Sequence, residues 1–462
     1  MTARLPGSFR DPAGHIYVSD NIIYRRIEPA GRDAYAALMQ SGLYQALLDD
    51  QLIVPHDDLG AQPDQPGALT VIRPERIPMI SYPYEWSFSQ LRDAALLTLR
   101  VQRRAIEFGQ SLKDASAFNV QFLRGRPVLI DTLSFEPLRP GPWFAYRQFC
   151  QHFYAPLLLI SLVDVQLGRL SQSFIDGVPL TVASKLLPKS TWLKPGPLMH
   201  IHLHAKAEQK WSAPPGDRGQ GGEGPATKRR QATGSPQVIV ESLERAIAAL
   251  TWQPRSNWAS YYADQPSYED AAPARKREVV GRWLQHLKPG TVWDFGANTG
   301  QFSAMAVDAG ANTVAFDGDP ACVELMYQGA RNGKTDRLLP LVADLSAPSP
   351  AIGWGNAERM TIEQRGPADL LLALALVHHL AIGNNVPFPE IASYFSRVTR
   401  RAAVEFVPRG DAMVRHMLAG RDDVFADYTR ERFEQAFSRH FSIDEQIELA
   451  PSERVLYLMT AR

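Results

Sequence analysis

The chain has 462 residues, of which 45% are hydrophobic and 21% charged, and its 49 basic and 49 acidic side chains give a formal net charge of zero. At roughly 150 residues per domain this length predicts two to four domains, and the balanced charge excludes a general nucleic-acid or anionic-membrane binder, which needs a large basic excess. Two isolated cysteines, Cys150 and Cys322, exclude a disulfide framework and a cysteine-based zinc site. Since no apolar run is long enough for a signal peptide or a membrane span, we expect a cytoplasmic protein with neither membrane nor nucleic acid as a partner.

The front half contains two predicted helices and several short strand candidates. Apolar residues at spacings of three and four predict one helix over 31–50 and another over 90–109. The strand candidates are HIYVSDNIIYRRIE, ALTVIRP and the pair FNVQFL and PVLIDTL, which Arg-Gly-Arg joins.

Three polar residues surround that Arg-Gly-Arg hairpin. The segment SLKDASAFNVQFLRGRPVLIDTLSFEP, with Asp114, Asn119 and Asp131, resembles the catalytic segment of kinase-like phosphotransferases. In that family the first Asp orients the acceptor hydroxyl, while the Asn and the second Asp hold magnesium. No glycine-rich phosphate loop or convincing Lys–Glu pair precedes the segment, although Arg25 or Arg26 can stand in for the lysine. We interpret residues 1–205 as a degenerate kinase-like substrate or scaffold domain, with a working phosphotransferase as the alternative.

A histidine-rich run, MHIHLH, follows at 199–204. As a strand it would place His200, His202 and His204 on one face, an arrangement that can bind a metal. No fourth ligand accompanies them, so we favour a packed or solvent-facing strand and predict no metal site.

Residues 206–236 are rich in glycine, proline and charge and show no apolar period. Such a segment buries too little apolar surface to offset its ordering entropy, which predicts a flexible linker. The aromatic residues that follow it either cover a cofactor or pack in the core; they are Trp258, Tyr261, Tyr262 and Tyr268.

Behind the linker, short apolar runs alternate with helical stretches. The runs are TVWDFG, NTVAFD, LLPLVADL, DLLLALALV and AAVEFV. Continuous apolar strands separated by helices predict a parallel sheet with helices on both faces, the α/β class. Two final runs, SIDEQIEL and RVLYLMTA, are close enough in sequence to form an antiparallel pair at the sheet edge.

The stretch WDFGANTGQF places a glycine loop between the first of these strands and a helix. Gly296 and Gly300 allow positive φ and a close approach of the backbone to a ligand, and the helix start offers unpaired N–H groups. Asp294, Asp317 and Asp344 end three consecutive strands, so their carboxylates are expected to line one crevice. There Asp317 can accept hydrogen bonds from two ribose hydroxyls, and Asp344 can accept one from an adenine amino group.

The loop does not match a dinucleotide-binding loop. It reads G-A-N-T-G, with Asn298 where the pyrophosphate requires the middle glycine of G-x-G-x-x-G, and Asp294 would repel a pyrophosphate but suits a cationic amino group. We therefore predict S-adenosylmethionine, rather than NAD, as the cofactor. Its predicted binding residues are Asp294, Gly296, Ala297, Asn298, Gly300, Asp317 and Asp344.

Taken in order, WDFGANTG, FDGDP, VADL and LALALVHHL resemble the motifs of class I S-adenosylmethionine-dependent methyltransferases over 237–462. The resemblance implies a seven-stranded Rossmann-like sheet whose last strand is antiparallel. The phrases LKDASAFNVQF, LIDTLSFEP, ALALVHHL and VEFVP make the whole chain similar to two-part bacterial methyltransferases related to the host-specificity nodulation methyltransferases.

Residues on the acceptor side come from the next two strand ends. His378 and His379 can act as a general base on a hydroxyl or close the cofactor pocket without proton transfer. Glu405, Arg409 and Asp411 follow the next strand and are further acceptor-side candidates, Glu405 as a catalytic one. Methyl transfer from a sulfonium depends mainly on alignment, so a missing obvious base does not argue against activity.

These features predict a methyltransferase that acts on a small-molecule or glycan-like acceptor. The alternatives are a non-catalytic cofactor-sensing or scaffold protein and a bifunctional phosphotransferase–methyltransferase. The sequence leaves the acceptor, the methylated atom and the oligomeric state open.

Overall fold

A computed structural model describes residues 3–212, 235–255, 271–333, 335–419 and 425–462. The chain divides into two compact units. Unit 1 contains Met1–Gln253 together with Ile352–Arg359, and unit 2 contains Pro254–Ala351 and Met360–Arg462.

Unit 1 begins with an antiparallel sheet of five strands in the order β1-β2-β3-β5-β4. The strands are β1 Ala3–Arg4, β2 Gly14–Ser19, β3 Ile22–Ile27, β4 His56–Asp58 and β5 Thr70–Pro74. Asp20 and Asn21 join β2 to β3 with φ angles of 49° and 62°. Two consecutive positive φ angles match the right-handed twist of a hairpin, and Asp and Asn tolerate them well.

The described residues of unit 1 also form two short antiparallel strand pairs. They are β6 Gln110–Leu112 with β9 Phe135–Pro137, and β7 Val120–Leu123 with β8 Arg126–Leu129. The second pair confirms the predicted hairpin around Arg-Gly-Arg, whose turn residues Arg124 and Gly125 have φ angles of 51° and 71°.

Helices form the rest of unit 1. They are α1 Arg32–Gln40, α2 Leu43–Asp49, α3 Phe88–Glu107, α4 Tyr146–Phe149, α5 Ala155–Leu162, α6 Leu170–Ser173, α7 Leu180–Leu186, α8 Pro195–Pro197, α9 Leu203–Ser212 and α10 Pro236–Ala248. The helix predicted over 31–50 is interrupted, because Gly42 has a φ of 82° between α1 and α2. The helix predicted over 90–109 is confirmed as α3, and Ser87 and Gln90 cap its start reciprocally.

The histidine-rich run is helical, and the predicted strand is wrong. A π-helical turn, Leu198–His202, continues directly into α9. His200 hydrogen-bonds to the Tyr146 hydroxyl and, through Nε2, to Ser242 Oγ at 2.9 Å. The sequence of the run alternates, but its backbone is helical. His200 and His202 occupy two separate buried polar sites.

Helix α10 belongs to unit 1, although we predicted it as part of the methyltransferase domain from residue 237. Its buried side chains pack against α3, and Arg103 forms an ion pair with Glu244 at 3.2 Å. Unit 1 ends at Gln253, later than the predicted domain boundary. The reason is that α10 has apolar residues on one face, and this face packs against a helix of unit 1. Of the predicted linker, residues 206–212 are helical in α9, and 213–234 lie outside the described residues.

Removing the hydroxyl of Ser242 is expected to destabilise unit 1. In Ser242→Ala the buried Nε2 of His200 loses its partner, which costs about 1–2 kcal/mol in the free energy of unfolding. Hydrogen exchange of the full chain should then speed up in α3 and 198–212 but not in the sheet residues 291–295, 312–317 and 370–373 of unit 2. Val238→Ala, an exposed change on the same helix, is the control; faster exchange confined to unit 2 would contradict the assignment of α10.

Unit 2 is built on a seven-stranded sheet in the order β12-β11-β10-β13-β14-β16-β15. The strands are β10 Thr291–Phe295, β11 Asn312–Asp317, β12 Leu338–Val342, β13 Leu370–Ala373, β14 Arg401–Phe406, β15 Phe441–Glu448 and β16 Val455–Ala461. Strands β10 to β14 are parallel, whereas β16 pairs antiparallel with both β14 and β15. The implied seven-stranded sheet with an antiparallel last strand is confirmed, and so is the antiparallel pairing of the last two strands at the sheet edge.

The helices of unit 2 cover this sheet. They are α11 Ala271–Leu287, α12 Gln301–Asp308, α13 Pro320–Gly333, α14 Phe388–Val398, α15 Ala412–Leu418 and α16 Arg430–Phe437. One core cluster joins Val279, Val280 and Trp283 of α11 to Val292 and Leu372 on the sheet. The strand order reverses between β10 and β13, and ligands of open α/β sheets bind outside such a switch point. Within the described ranges, no helix is long and apolar enough to cross a membrane.

Candidate functional site

The glycine loop after β10 has the conformation that its sequence predicts. Gly296 and Gly300 have φ angles of 72° and 84°, and Asn298 has one of 51°. A Cβ at Gly300 would lie 2.9 Å from the sulfur of Met326, and one at Gly296 would lie 3.1 Å from Leu376. Both positions therefore combine a left-handed backbone with tight packing, so that only glycine fits without strain.

Backbone hydrogen bonds fix the loop against the neighbouring strand. The N–H groups of Gly296 and Ala297 both donate to the carbonyl of Phe316, at 2.9 and 3.0 Å. Gly300 then starts helix α12 with an N–H bond back to Ala297. The loop is thus held in place before any ligand binds, which reduces the ordering cost of binding.

Asp317 lies at the carboxyl end of β11, beside this loop. Its Oδ2 accepts the Asn298 N–H at 2.7 Å and its Oδ1 accepts the Asp319 N–H at 2.8 Å. Burial raises the pKa of its carboxyl, while these two bonds oppose that effect. Each carboxylate oxygen keeps a further lone pair, so the group can still accept two hydrogen bonds from a ligand.

Asp344 follows β12, the next strand outward. Its Oδ1 accepts hydrogen bonds from the Ser346 N–H at 3.0 Å and from the Ser346 hydroxyl at 2.6 Å. Since β11 and β12 are parallel neighbours, Asp344 and Asp317 leave the sheet at the same edge. The turn with Ser346 orients the Asp344 carboxylate and leaves it half-buried.

Asp294 lies at the carboxyl end of β10 and is only 3% exposed. Its Oδ2 accepts a hydrogen bond from the Ser303 hydroxyl at 2.6 Å. Burial raises the pKa of this carboxyl to about 6, although Ser303 and the nearby Lys276 ammonium counteract the rise, and the charge of Asp317 adds to it. Asp294 and Asp317 are thus close enough to influence each other's charge.

Replacing Asp294 by Asn is expected to stabilise the ligand-free protein at neutral pH. The folded-state pKa of about 6 exceeds the ordinary value of about 3.9, so folding favours the protonated carboxyl and the ionised one costs stability above pH 6. Asn keeps an acceptor for Ser303 without the charge, which should raise the free energy of unfolding by about 1–2 kcal/mol at pH 7.5. Urea unfolding at pH 7.5 and pH 4 tests this: the gain should vanish at pH 4, and an equal gain at both values would exclude titration of Asp294 as its cause.

His378 and His379 lie after β13, where a π-helical turn, His379–Gly383, begins. Their ring centroids are 4.2 Å apart. His378 is 2% exposed, its Nδ1 has no hydrogen-bond partner among the described residues, and burial lowers its pKa to about 3. Burial also lowers the pKa of the half-buried His379. Both imidazoles are therefore neutral at physiological pH and His378 is a weak base.

Glu405, predicted as a catalytic candidate, is fully buried near the end of β14 and is paired with two cations. The ammonium of Lys276 donates to its Oε2, and Arg454 approaches its Oε1 at 3.3 Å. Arg454 also donates through Nε to Asp411 at 2.8 Å. Both carboxylate oxygens of Glu405 are engaged by cations, so the arrangement favours a structural role for this residue.

The other acceptor-side candidates lie around this network of Lys276, Glu405, Arg454 and Asp411. Asp411 caps helix α15 through the Met413 N–H at 2.9 Å, and Arg409 donates to the carbonyl of Phe425. Arg454, Asp411 and Lys276 are also close enough to His378 to affect its pKa. The structure therefore brings His378 and the ion-pair network together beside Asp294.

Three residues of this site were not among the predicted ones: Lys276, Ser303 and Arg454. Lys276 lies on α11 with Val279, Val280 and Trp283 on the buried face, so a lysine at an apolar position of the helical period was the available signal. Ser303, in the first turn of α12, carries no comparable signal, because serine is common near helix starts.

In unit 1 the residues of the kinase-like resemblance also come together. Asp131 accepts a hydrogen bond from Arg25 through Oδ1 and one from the Ser134 hydroxyl at 2.6 Å through Oδ2. Arg25 also contacts Asp11 at 3.0 Å, whereas Asn119 donates to Ser134 Oγ at 3.2 Å. The Arg25 guanidinium lowers the pKa of the Asp131 carboxyl, even though burial acts in the opposite direction.

Asp114, the first acidic residue of that resemblance, accepts hydrogen bonds from the Ser116 N–H and the Gln148 amide. Burial raises its pKa, and the charge of Asp131 adds to the rise. Arg26, the other candidate for the missing lysine, instead pairs with Glu28 at 2.8 Å. Only Arg25 of the two arginines faces Asp131.

The remaining predictions concern metals and aromatic residues. The described residues contain no group of three or more His, Cys, Asp or Glu side chains that could hold a metal ion. The four aromatic residues proposed as a cofactor cover, at positions 258, 261, 262 and 268, lie outside the described residues.

Comparison with known proteins gives one strong relative. The nodulation protein NoeA of Rhizobium meliloti (strain 1021) is 35% identical over 464 residues, covering 98% of this chain and 95% of NoeA. No family model matches the chain.

Solved structures match only part of the chain. Magnesium protoporphyrin IX methyltransferase ChlM from Synechocystis PCC 6803, with bound SAH, is 17% identical, with a TM-score of 0.34 over 44% of this chain and 92% of ChlM. The N-methyltransferase NodS from Bradyrhizobium japonicum WM9 is 11% identical, with a TM-score of 0.31 over 42% of this chain and 98% of NodS. At such scores the likeness adds no argument about activity. The extensive identity to NoeA, in contrast, shows that the chain belongs to the NoeA family of nodulation proteins.

Proposed function

We propose that the protein is an S-adenosylmethionine-dependent methyltransferase that acts on a small-molecule or glycan-like acceptor. The observation that carries the proposal is the pre-formed edge of unit 2. A glycine loop fixed by backbone hydrogen bonds and the carboxylates of Asp294, Asp317 and Asp344 stand at the carboxyl ends of three neighbouring parallel strands.

The residues at this edge fit that cofactor chemically. Gly296 and Gly300 carry no Cβ at the two ends of the loop, so that the backbone at these positions can approach a ligand. Asp317 would hold the ribose hydroxyls and Asp344 the adenine amino group, while the polar side of the loop near Asp294 would face the amino-acid moiety. When bound, S-adenosylmethionine supplies a methyl group on a sulfonium, which is already a good leaving group.

The acceptor side favours positioning over strong proton abstraction. Glu405 and Asp411 are occupied by ion pairs, and His378 stays neutral with an unused Nδ1. A neutral imidazole can accept a hydrogen bond from an acceptor hydroxyl and orient its lone pair toward the methyl group. We therefore assign His378 and His379 to acceptor alignment, which supplies much of the rate in such a transfer.

Titration calorimetry of the full chain separates this cofactor from a dinucleotide. S-adenosylmethionine and S-adenosylhomocysteine should bind, whereas NAD should not, because Asn298 replaces the glycine that a pyrophosphate needs and Asp294 repels it. Tighter binding of NAD than of either adenosyl compound would overturn the proposal.

For unit 1 we infer a scaffold or substrate-binding role without phosphate transfer. Arg25 bridges Asp131 and Asp11, and a guanidinium on the Asp131 carboxylate competes with the magnesium that phosphate transfer requires. The bifunctional alternative would need Asp131 free for the metal.

ATP and magnesium are accordingly expected to leave the melting temperature of the full chain unchanged and not to be hydrolysed. Differential scanning fluorimetry with ATP, with and without magnesium, measures the melting temperature. A magnesium-dependent shift that disappears in Asp131→Asn would instead favour the phosphotransferase.

A further inference from the structure

The surface around α7, α8 and α9 of unit 1 exposes large apolar side chains. Leu193 is 88% exposed, Met199 57%, Leu203 50% and Leu186 43%. Met199 and Leu203 are one helical turn apart on the continuous helix from 198 to 212, so they share a face. Scattered single apolar residues need no explanation, but a group within one supersecondary motif does.

A buried histidine ties the pieces of this motif together. His202 Nδ1 lies 2.8 Å from the Ser184 hydroxyl on α7, and its Nε2 lies 2.8 Å from the Thr191 hydroxyl. Trp192 stacks on the same imidazole, with ring centroids 4.2 Å apart. The exposed side chains are therefore carried by one packed motif and not by separate mobile loops.

The charge of this motif is one-sided, although the whole chain is neutral. Residues 177–207 contain four lysines and neither Asp nor Glu. All four are exposed, and within the described part of the chain none forms an ion pair; they are Lys185, Lys189, Lys194 and Lys206. Lys206 also lies 4.5 Å from the centre of the Trp192 ring, next to Leu203.

We propose that this face, the exposed side of residues 185–206, docks unit 1 on a membrane surface rich in anionic phospholipids. Exposed leucines and a methionine can enter the boundary between headgroups and acyl chains, while the surrounding lysines meet phosphate groups. Trp192 has the amphipathic ring that favours the same depth. The neutral charge of the whole chain argues against membrane binding by a surface of average composition. This face is positively charged, so that argument does not apply to it.

Flotation of the full chain with phospholipid vesicles tests the proposal. The protein should float with vesicles of equal parts phosphatidylcholine and phosphatidylglycerol, less with pure phosphatidylcholine, and less again as salt is raised. Each lysine near the surface contributes about fivefold to partitioning, so K185E/K189E/K194E should bind about 100-fold more weakly or worse. Leu193→Asp should lower partitioning at least about tenfold, because it removes the most exposed apolar side chain.

Matched variants on another part of unit 1 serve as controls. R4E/R32E/R100E makes the same change in charge at exposed arginines that form no ion pair among the described residues, and Ile22→Asp removes an apolar side chain that is 41% exposed. Both should float like the wild type. Absent flotation with anionic vesicles, or equal loss in the control variants, would overturn the proposal. So would a concentration-dependent oligomer that Leu193→Asp dissociates, which would identify the face as a contact between copies, and so would lysine-dependent binding of RNA in preference to vesicles.

Discussion

Asp317→Ala is expected to weaken the binding of S-adenosylmethionine by about 1–3 kcal/mol, because the ribose hydroxyls lose a charged acceptor. This corresponds to about 5- to 150-fold in the dissociation constant. The same change frees the Asn298 N–H that Asp317 now accepts at 2.7 Å, so part of the loss reflects a less ordered loop. Asp317→Asn keeps an acceptor for that N–H and should fall between the wild type and the alanine variant.

A matched aspartate lies at the opposite edge of the same sheet. Asp369 precedes β13 and accepts the Thr291 N–H at 2.9 Å and its hydroxyl at 3.0 Å, at the amino end of β10. Asp369→Ala should therefore lower the stability of unit 2 but leave cofactor affinity unchanged. If calorimetry gave equal affinity for wild type and Asp317→Ala, the assignment of the cofactor to the carboxyl edge would be wrong.

Lys276→Met is expected to destabilise unit 2 by about 2–4 kcal/mol, the largest stability effect that we predict. Methionine keeps an unbranched apolar stem but removes the ammonium, which donates to Glu405 and lies 4.9 Å from the centre of the Phe302 ring. Glu405 is fully buried, and its remaining ion-pair partner among the described residues is Arg454, which also pairs with Asp411. The loss of stability arises because the buried carboxylate of Glu405 keeps one of its two cationic partners.

The neighbouring residue provides the control for that change. Arg275 is exposed and, within the described ranges, pairs with Glu278 one turn along α11, so Arg275→Met should change stability by less than about 0.5 kcal/mol. Urea unfolding of the two variants measures the difference. The double variant K276M/E405L should recover most of the loss, since a buried pair can often be replaced by apolar residues. Equal, small effects of Lys276→Met and Arg275→Met would show that the buried pair contributes little.

The sheet of unit 2 was predictable because its strands are continuous apolar runs, each followed by a turn. The positions of Asp294, Asp317 and Asp344 at the carboxyl ends of three strands were predictable for the same reason. Because the strands are parallel, these ends lie on the same side of the sheet. The pairing of Glu405 was not predictable from the sequence. Its partner Lys276 lies more than one hundred residues earlier, and its partner Arg454 lies near the end of the chain. Sequence spacing carries no information about such contacts.

Unit 1 shows where short patterns mislead. The alternation of MHIHLH has the period of a strand, yet the backbone is helical. In this helix His200 and His202 hydrogen-bond to separate hydroxyls. Likewise α10 follows a polar segment, which suggested a boundary, while its apolar face belongs to unit 1. In both cases tertiary packing outweighs a local signal. Asp114, Asn119 and Asp131 were grouped correctly in space, but their kinase-like role stays a prediction.

Methyl transfer by unit 2 can be detected directly by comparing the metabolites of three strains. Cells that lack the gene are complemented with the wild type or with Asp317→Ala, and their small molecules and glycans are analysed by mass spectrometry. We expect at least one compound that is heavier by one methyl-for-hydrogen exchange in cells with the wild type and that appears in its unmethylated form in cells with the variant and in the deletion strain. Identical metabolite profiles in all three strains under conditions where the protein is expressed would contradict it and favour the cofactor-sensing alternative.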